Sequence, residues 1–196
     1  MSDAPFKMPS LRGRLIYLTS PKPDDFGHLT ELRNRDSIRR WFFDDRPLDP
    51  ENNRKWLEAN ARRKDAKLLV IRSCVDDRFL GSAGWLHLDD SVGSIELGRV
   101  AVDRPGYLAL ARSLGYAPRI TDEVGSLLIG FAFHVLGVSR IRTEVISGNH
   151  SSAALCLRAG FTLVGQSIGF RPDGQSVPVE IFELKRDEWE LGTTLN

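Results

Sequence analysis

Two hydrophobic periodicities divide the chain. Alternating or short apolar runs predict strands at 14–19 (RLIYLT), 67–72 (KLLVIR), 78–88 (RFLGSAGWLHL) and 94–102 (SIELGRVAV). A fifth follows Ser139, where Ile141, Thr143 and Val145 alternate with Arg142, Glu144 and Ile146. Two more, at 162–169 and 178–184, are joined across the turn signal Arg171-Pro172-Asp173-Gly174. Helical spacing instead marks Phe26, Leu29 and Leu32 after Asp24-Asp25, and a further turn begins at Asp36. Past Pro47 and Pro50, residues 51–64 form a second helix with Trp56 and Leu57 on its apolar face. The main helix is expected from Thr121 to about Leu136, burying Val124, Leu127, Leu128, Phe131 and Val135. Gly125 and Gly130 lie inside it and cost helix stability, which predicts a close neighbour.

The middle three long strands are separated only by short turns, at 75–77 and 89–93, and so predict an antiparallel meander. Residues 1–12, with Pro5 and Pro9, read as a loose arm, and YLALARSL within 103–122 as a short extra helical turn. Trp189 is expected to pack back on the domain. The pattern at 139–161 organises the rest. A strand breaks at Gly148-Asn149, Asn149 favours a helix N-cap, and a short helix carries Ala153, Leu155 and Ala159. Gly160 then stands at the C′ position and Phe161 opens the next strand. The cap therefore sits at a strand's carboxyl end, where open α/β sheets bind ligands.

Composition narrows the function classes. The 196 residues suit a single domain, and 41% hydrophobic with 27% charged residues excludes disorder and membrane spans. A net charge of +1 argues against nucleic acid as partner. No basic, apolar-cored leader opens the chain. Cys74 and Cys156 lie far apart without metal-ligand spacing, so neither a disulfide framework nor a metal is expected, and the setting is a reducing cytoplasm.

Asn149-x-x-Ser152 with Gly160-Phe161 resembles the last motif of the GNAT N-acetyltransferases. GSLLIGFAFHVLGVSRIRTEV resembles that family's central helix, its Leu-Gly turn and following strand, and SIELGRVAV the strand before them. The match covers 11–188 and is most similar to the ribosomal-protein N-terminal and amino-sugar acetyltransferase branch. It implies an α/β (α+β) fold: a central mixed, mostly antiparallel sheet of about seven strands flanked by helices. It also implies acetyl-CoA as co-substrate, a small-molecule or peptide amine as acceptor, direct attack in a ternary complex, and, by resemblance only, a homodimer.

The resemblance assigns roles residue by residue. Val100, Ala101 and Val102 would present backbone groups to the pantetheine arm, one N–H serving the developing oxyanion. The pyrophosphate would lie at the helix start, Arg119-Ile120-Thr121, where free N–H groups and the helix dipole favour an anion. Arg119 and Thr121 stand where the family has glycines; a literal match, Arg112-Ser113-Leu114-Gly115-Tyr116-Ala117, exists earlier but needs about four inserted residues before the helix. Asn149 and Ser152 would approach the same arm, although capping alone accounts for Asn149. Glu96 is the candidate base, against a surface glutamate pairing across the sheet. Cys156 takes the place of the family's acidic tyrosine, against simple packing of a small thiol. Arg40, Trp41 and Phe42 are candidate acceptor walls, against aromatics packed in the core, with Trp85 on a strand facing the same cleft beside His87. Arg40 and its rings suit a nucleotide or phosphate-bearing amine. Acceptor choice would rest on the N-terminal helices and the 171–176 loop, whose mutual packing the sequence does not show.

A rival keeps the fold and drops the chemistry: a CoA-sensing or interaction module, favoured by the altered phosphate loop and the missing tyrosine. A Rossmann-type nucleotide enzyme is poorly supported, because no G-x-G-x-x-G follows the first strand.

Overall fold

The computed structural model describes residues 9–194. Its strands are β1 (Leu11–Arg12), β2 (Ile16–Thr19), β3 (Lys67–Ser73), β4 (Phe79–Asp89), β5 (Ser94–Val102), β6 (Arg140–Ile146), β7 (Thr162–Phe170) and β8 (Ser176–Lys185). They form one sheet in the order β1-β2-β3-β4-β5-β6-β8-β7. The helices are α1 (Asp25–Asn34), α2 (Asp36–Arg39), α3 (Pro50–Arg62), α4 (Arg104–Leu114), α5 (Ile120–His134), α6 (His150–Arg158) and α7 (Arg186–Thr194).

All seven expected strands are present, with an eighth in the stretch expected as a loose arm. Gly13 N–H donates to the Ile16 carbonyl at 2.9 Å and turns the chain, so Leu11 and Arg12 pair with Leu18 and Tyr17. The rest of the arm, residues 1–8, lies outside the described residues. A second correction concerns α4, a full helix of 11 residues rather than a turn. The Asp103 carboxylate caps it by accepting from Gly106 N–H at 2.9 Å, Pro105 sits in its first turn, and Gly115 closes it at φ +74°. The third is at the end of α5. Val135, expected on the buried face, is its exposed C-cap, and Ile129, Ala132 and Phe133 are buried in addition to the expected stripe.

Every strand pairing is antiparallel except β5 with β6. α5 lies on one face of the sheet, where Val124, Leu128 and Phe131 join Trp85, Ile95, Leu97 and Ile141 in the main core. On the other face Leu29 of α1 and Leu57 of α3 pack with Val70 in a smaller cluster. Burying such side chains supplies most of the driving force for the fold, roughly 1.5–3 kcal/mol for each large one. Gly125 has the predicted neighbour, since an added Cβ would stand 4.0 Å from the Ala159 Cβ, whereas Gly130 faces open space. Trp189 packs back as expected, its ring 5.5 Å from that of Phe133.

Candidate active site

The site begins where the sheet comes apart. β5 and β6 are paired only over Ser94–Arg140, Ile95–Ile141 and Glu96–Arg142. The Thr143 hydroxyl donates to the Leu97 carbonyl, and beyond it β5 continues without its neighbour. Backbone groups of a strand must be paired or solvated, so an open strand edge inside a domain is available to a ligand that hydrogen-bonds like a strand. A Cβ added at Gly98 would meet nothing within 4 Å, which locates open space beside the fork.

Two bulges frame Glu96. Arg99 and Val100 together oppose Ala83, and His87 and Leu88 together oppose Ile95. Arg99 and His87 both take left-handed backbone, φ +57° and +51°. Non-glycine residues adopt it at a cost, and bulges of this kind re-aim side chains near active sites. Ile95 and Leu97 point into the α5 core, so alternation turns Glu96 to the face that carries α1 and α3. Its carboxylate is 2.8 Å from His87 Nδ1 and 23% exposed, half-sheltered while His87 reaches solvent. The imidazole thus connects the carboxylate to water.

Residues 40–45 cross this face as a strap. An added Cβ on Gly148 would stand 4.0 Å from the Trp41 ring, and one on Gly169 would collide with the Phe43 ring. The Arg171 guanidinium donates to the Arg40 carbonyl at 3.1 Å and pairs with Asp45. Phe42 lies beneath the Arg33 guanidinium, 3.8 Å from ring centroid to carbon, and Arg40 is 5.2 Å from the Trp41 ring. The β7–β8 turn and the N-terminal helices therefore do meet, through Arg171. Arg40, Trp41 and Phe42 come together on the Glu96 side of the sheet.

Trp85 and Cys156 do not belong with them. Trp85 is 1% exposed and 5.5 Å from the Phe131 ring, on the α5 face, because its strand position alternates toward the core. This corrects its expected place in the acceptor cleft. Cys156 is buried within the same core, and burial pushes its thiol up to about 11. A donor that weak gives its proton only uphill to a departing thiolate of pKa about 8.5, so the geometry and chemistry speak for packing. Because the neutral thiol is favoured in the fold, native Cys156 is expected to resist iodoacetamide at pH 8 while half-buried Cys74 reacts. Alkylation of both at equal rates would refute that placement.

On the fork's other side, Asn149 caps α6 and its side-chain oxygen accepts from Ser152 N–H at 3.3 Å. Gly160 is left-handed at φ +92°, as its place after the helix predicts. The Arg112-Ser113-Leu114 stretch is the last turn of α4, so its literal phosphate-loop match starts inside a helix. The loop that enters α5 runs over 116–119, and Arg119 at its N-cap makes no side-chain cap. The Asp122 N–H turns back to the Arg119 carbonyl at 3.1 Å, and no side chain caps the Ile120 and Thr121 N–H groups, which suit an outside acceptor. The acidic residues of that turn are committed elsewhere: Asp122 pairs with Arg158 at 2.7 Å, and Glu123 accepts from Leu15 N–H at 3.1 Å. A cleft of about 350 Å³ opens beside them, bordered by Arg14, Tyr116, Pro118 and Arg119. An open strand edge, an uncapped helix start and a cleft where Arg14 and Arg119 stand beside Glu123 suit an extended ligand that ends in phosphates.

Comparison with known proteins gives the family and the fold. Residues 15–162 match the family model described as an acetyltransferase (GNAT) domain. The chain belongs to the GNAT acetyltransferase family. It is accordingly an acetyl-CoA-dependent N-acetyltransferase. It is similar to a probable GNAT-family acetyltransferase from Chromobacterium violaceum ATCC 12472, with 26% identity over 94% of this chain and 90% of that one, TM-score 0.77. A spermidine N-acetyltransferase from Vibrio cholerae, solved with CoA and spermine, shares the fold at TM-score 0.71 and 15% identity, covering 89% and 98% of the two chains. A putative ribosomal-protein-serine acetyltransferase from Vibrio cholerae does so at TM-score 0.69 and 18% identity, covering 90% and 97%. No curated protein matches the sequence. Among the described residues no helix is long and apolar enough to cross a membrane.

Sequence reasoning gave no acceptor role to Arg33 or Arg99, and named the 171–176 loop without its Arg171 contact to the strap. Arginines are common at surfaces, and no spacing rule distinguishes one that a bulge turns inward or a strap recruits. Two bulged residues opposite one were not legible before the register was known.

Proposed function

We propose that this GNAT enzyme acetylates a primary amine of a small molecule or protein N-terminus held under the 40–45 strap, with Glu96 as base. The carrying observation is the parting of β5 from β6 immediately after Glu96, which sets a carboxylate on the acceptor face beside an open strand edge. Acetyl-CoA supplies an acetyl thioester whose carbonyl is open to attack. Glu96 takes the proton that the amine sheds, and His87 relays it to solvent. The backbone at Val100, Ala101 and Val102 holds the pantetheine arm, and an N–H there donates to the carbonyl oxygen as it gains charge. A C–N bond forms and the C–S bond breaks; water returns the proton to the thiolate, because Cys156 is unsuited to the task. Asn149 and Ser152 at the α6 start line the same arm, and Arg119, Ile120 and Thr121 receive the pyrophosphate. Arg40, Trp41 and Phe42 wall the acceptor, and the two substrates held in line account for much of the acceleration.

Calorimetric titration with acetyl-CoA tests the cradle. Micromolar affinity is expected, weakened about tenfold by Arg119→Ala through loss of a charge-assisted phosphate contact, and less by Asn149→Ala. Arg112→Ala should bind as the parent does. Unchanged affinity in Arg119→Ala with a loss in Arg112→Ala would move the phosphate site to the end of α4.

A further inference from the structure

Two guanidiniums on the acceptor face, Arg33 and Arg99, stand against aromatic rings rather than in ion pairs. Arg33 of α1 lies over Phe42, spends Nη2 on the Asp44 carbonyl, and keeps Nη1 buried with no partner. Arg99 rises from the β5 bulge and rests on Trp56 of α3, 4.8 Å from its ring. Among the described residues neither side chain forms an ion pair, and the nearby carboxylates are taken. Asp44 is bound by Arg46 at 2.8 Å, Asp45 by Arg171, and Glu96 by His87 at 2.8 Å. Burial holds Arg33 down at about 10, with the charges of Asp44 and Asp45 offsetting part of this and that of Arg99 adding to it; burial lowers Arg99 as well, against the charge of Glu96. Half-buried cations outside ion pairs are costly unless a counter-charge arrives.

We propose that Arg99, with Arg33 behind it, is the anion subsite of the acceptor cleft, so the substrate is a small primary amine carrying a carboxylate or phosphate. The assignment rests on the acceptor site proposed above. Arg99 is three residues beyond Glu96 and directly precedes Val100, so amine and anion are read within one short molecule. Arg99, its guanidinium carbon 4.8 Å from the Trp56 ring, offers the fork that suits bidentate recognition of a carboxylate or phosphate, and Arg33, 3.8 Å over Phe42, adds its charge. The same pair repels a polycation. A polyamine bound with one amine at Glu96 would bring its other charges toward Arg99 and Arg33, and that repulsion selects against it. Anionic and polycationic amines are therefore separated by charge before their shape matters.

The test is calorimetry of the purified protein with β-alanine, phosphoethanolamine, ethylamine and spermidine, followed by turnover of each with acetyl-CoA. At least one anionic amine should bind about ten- to hundred-fold tighter than ethylamine, and spermidine weakest. The two anionic arms distinguish carboxylate from phosphate. Arg99→Gln should erase the preference and Arg99→Lys should restore part of it, with acetyl-CoA affinity unchanged. Equal binding of anionic and neutral amines, tightest binding of spermidine, or a preference that survives Arg99→Gln overturns the subsite. The parent ranking decides the question even where a variant fails to fold. Charge-selective binding without acetylation of any amine would keep the subsite and remove the proposed acceptor chemistry; charge-blind acetylation would do the reverse.

Discussion

Glu96→Gln is expected to lower kcat by about 10²–10⁴-fold, the usual contribution of a positioned general base, while acetyl-CoA affinity stays at the parent value. The substitution keeps the side chain's size and its contact with His87, so what is lost is the capacity to take a proton. An alkylammonium cannot attack a carbonyl until that proton leaves. The remaining rate should therefore climb about tenfold per pH unit below the amine's own pKa, as free amine replaces ammonium. The parent should depend less steeply on pH, because Glu96 and His87 remove the proton within the complex. Steady-state rates across pH 6–10, with acetyl-CoA saturating, measure both effects. A variant within threefold of the parent at pH 7 would move the base elsewhere and leave Glu96 as a strand residue paired with its neighbour.

Asp25→Ala is expected to cost about 3 kcal/mol of stability, the largest loss we anticipate from a single polar side chain here. Asp25 is 1% exposed at the start of α1, accepts from Lys22 N–H at 2.8 Å, and holds Arg72 of β3 by its other oxygen. Removal strands a guanidinium whose Nε already lacks a partner. The Asp77 carbonyl still accepts from Arg72 at 2.6 Å, which keeps the cost at the lower end of the range for a broken buried pair. For a chain of this length the melting temperature should fall by about 6–12 °C. Asp24→Ala serves as the control, since Asp24 makes no side-chain cap on α1. Asp25→Ala combined with Arg72→Met should recover much of the loss, because replacing both charges removes the orphan. A fall below 2 °C in Asp25→Ala would mean that water reaches Arg72 and that the pair adds little.

The two experiments probe different links of one design. α1 is pinned to β3 by Asp25 and Arg72, and it also carries Arg33 over the acceptor face. Asp25→Ala can therefore weaken acceptor binding without touching the cleft, while Glu96→Gln leaves the scaffold intact.

Local rules in the chain were enough for most of the elements and for the family. β3, β4 and β5 were legible because turns at 75–77 and 89–93 leave antiparallel pairing as the short connection. α6 was legible because Asn149 and Gly160 are the residue types that begin and end helices, for reasons local to each terminus. What was not legible depends on register and on distant contacts. Alternation predicted that Trp85 and Glu96 lie on strands, but the face each takes follows from register, and bulges shift the count by one on either side of them. The same shift turned His87 toward Glu96 and Arg99 toward Trp56. The burial that disqualifies Cys156 as an acid comes from α6 closing on the α5 core. The sequence by itself determined seven of the strands, the main helices and the acetyltransferase family, since these follow from periodicity and motif order. Only the tertiary structure decided which charges face the acceptor, because that depends on strand register and on a strap docked 131 residues away in sequence.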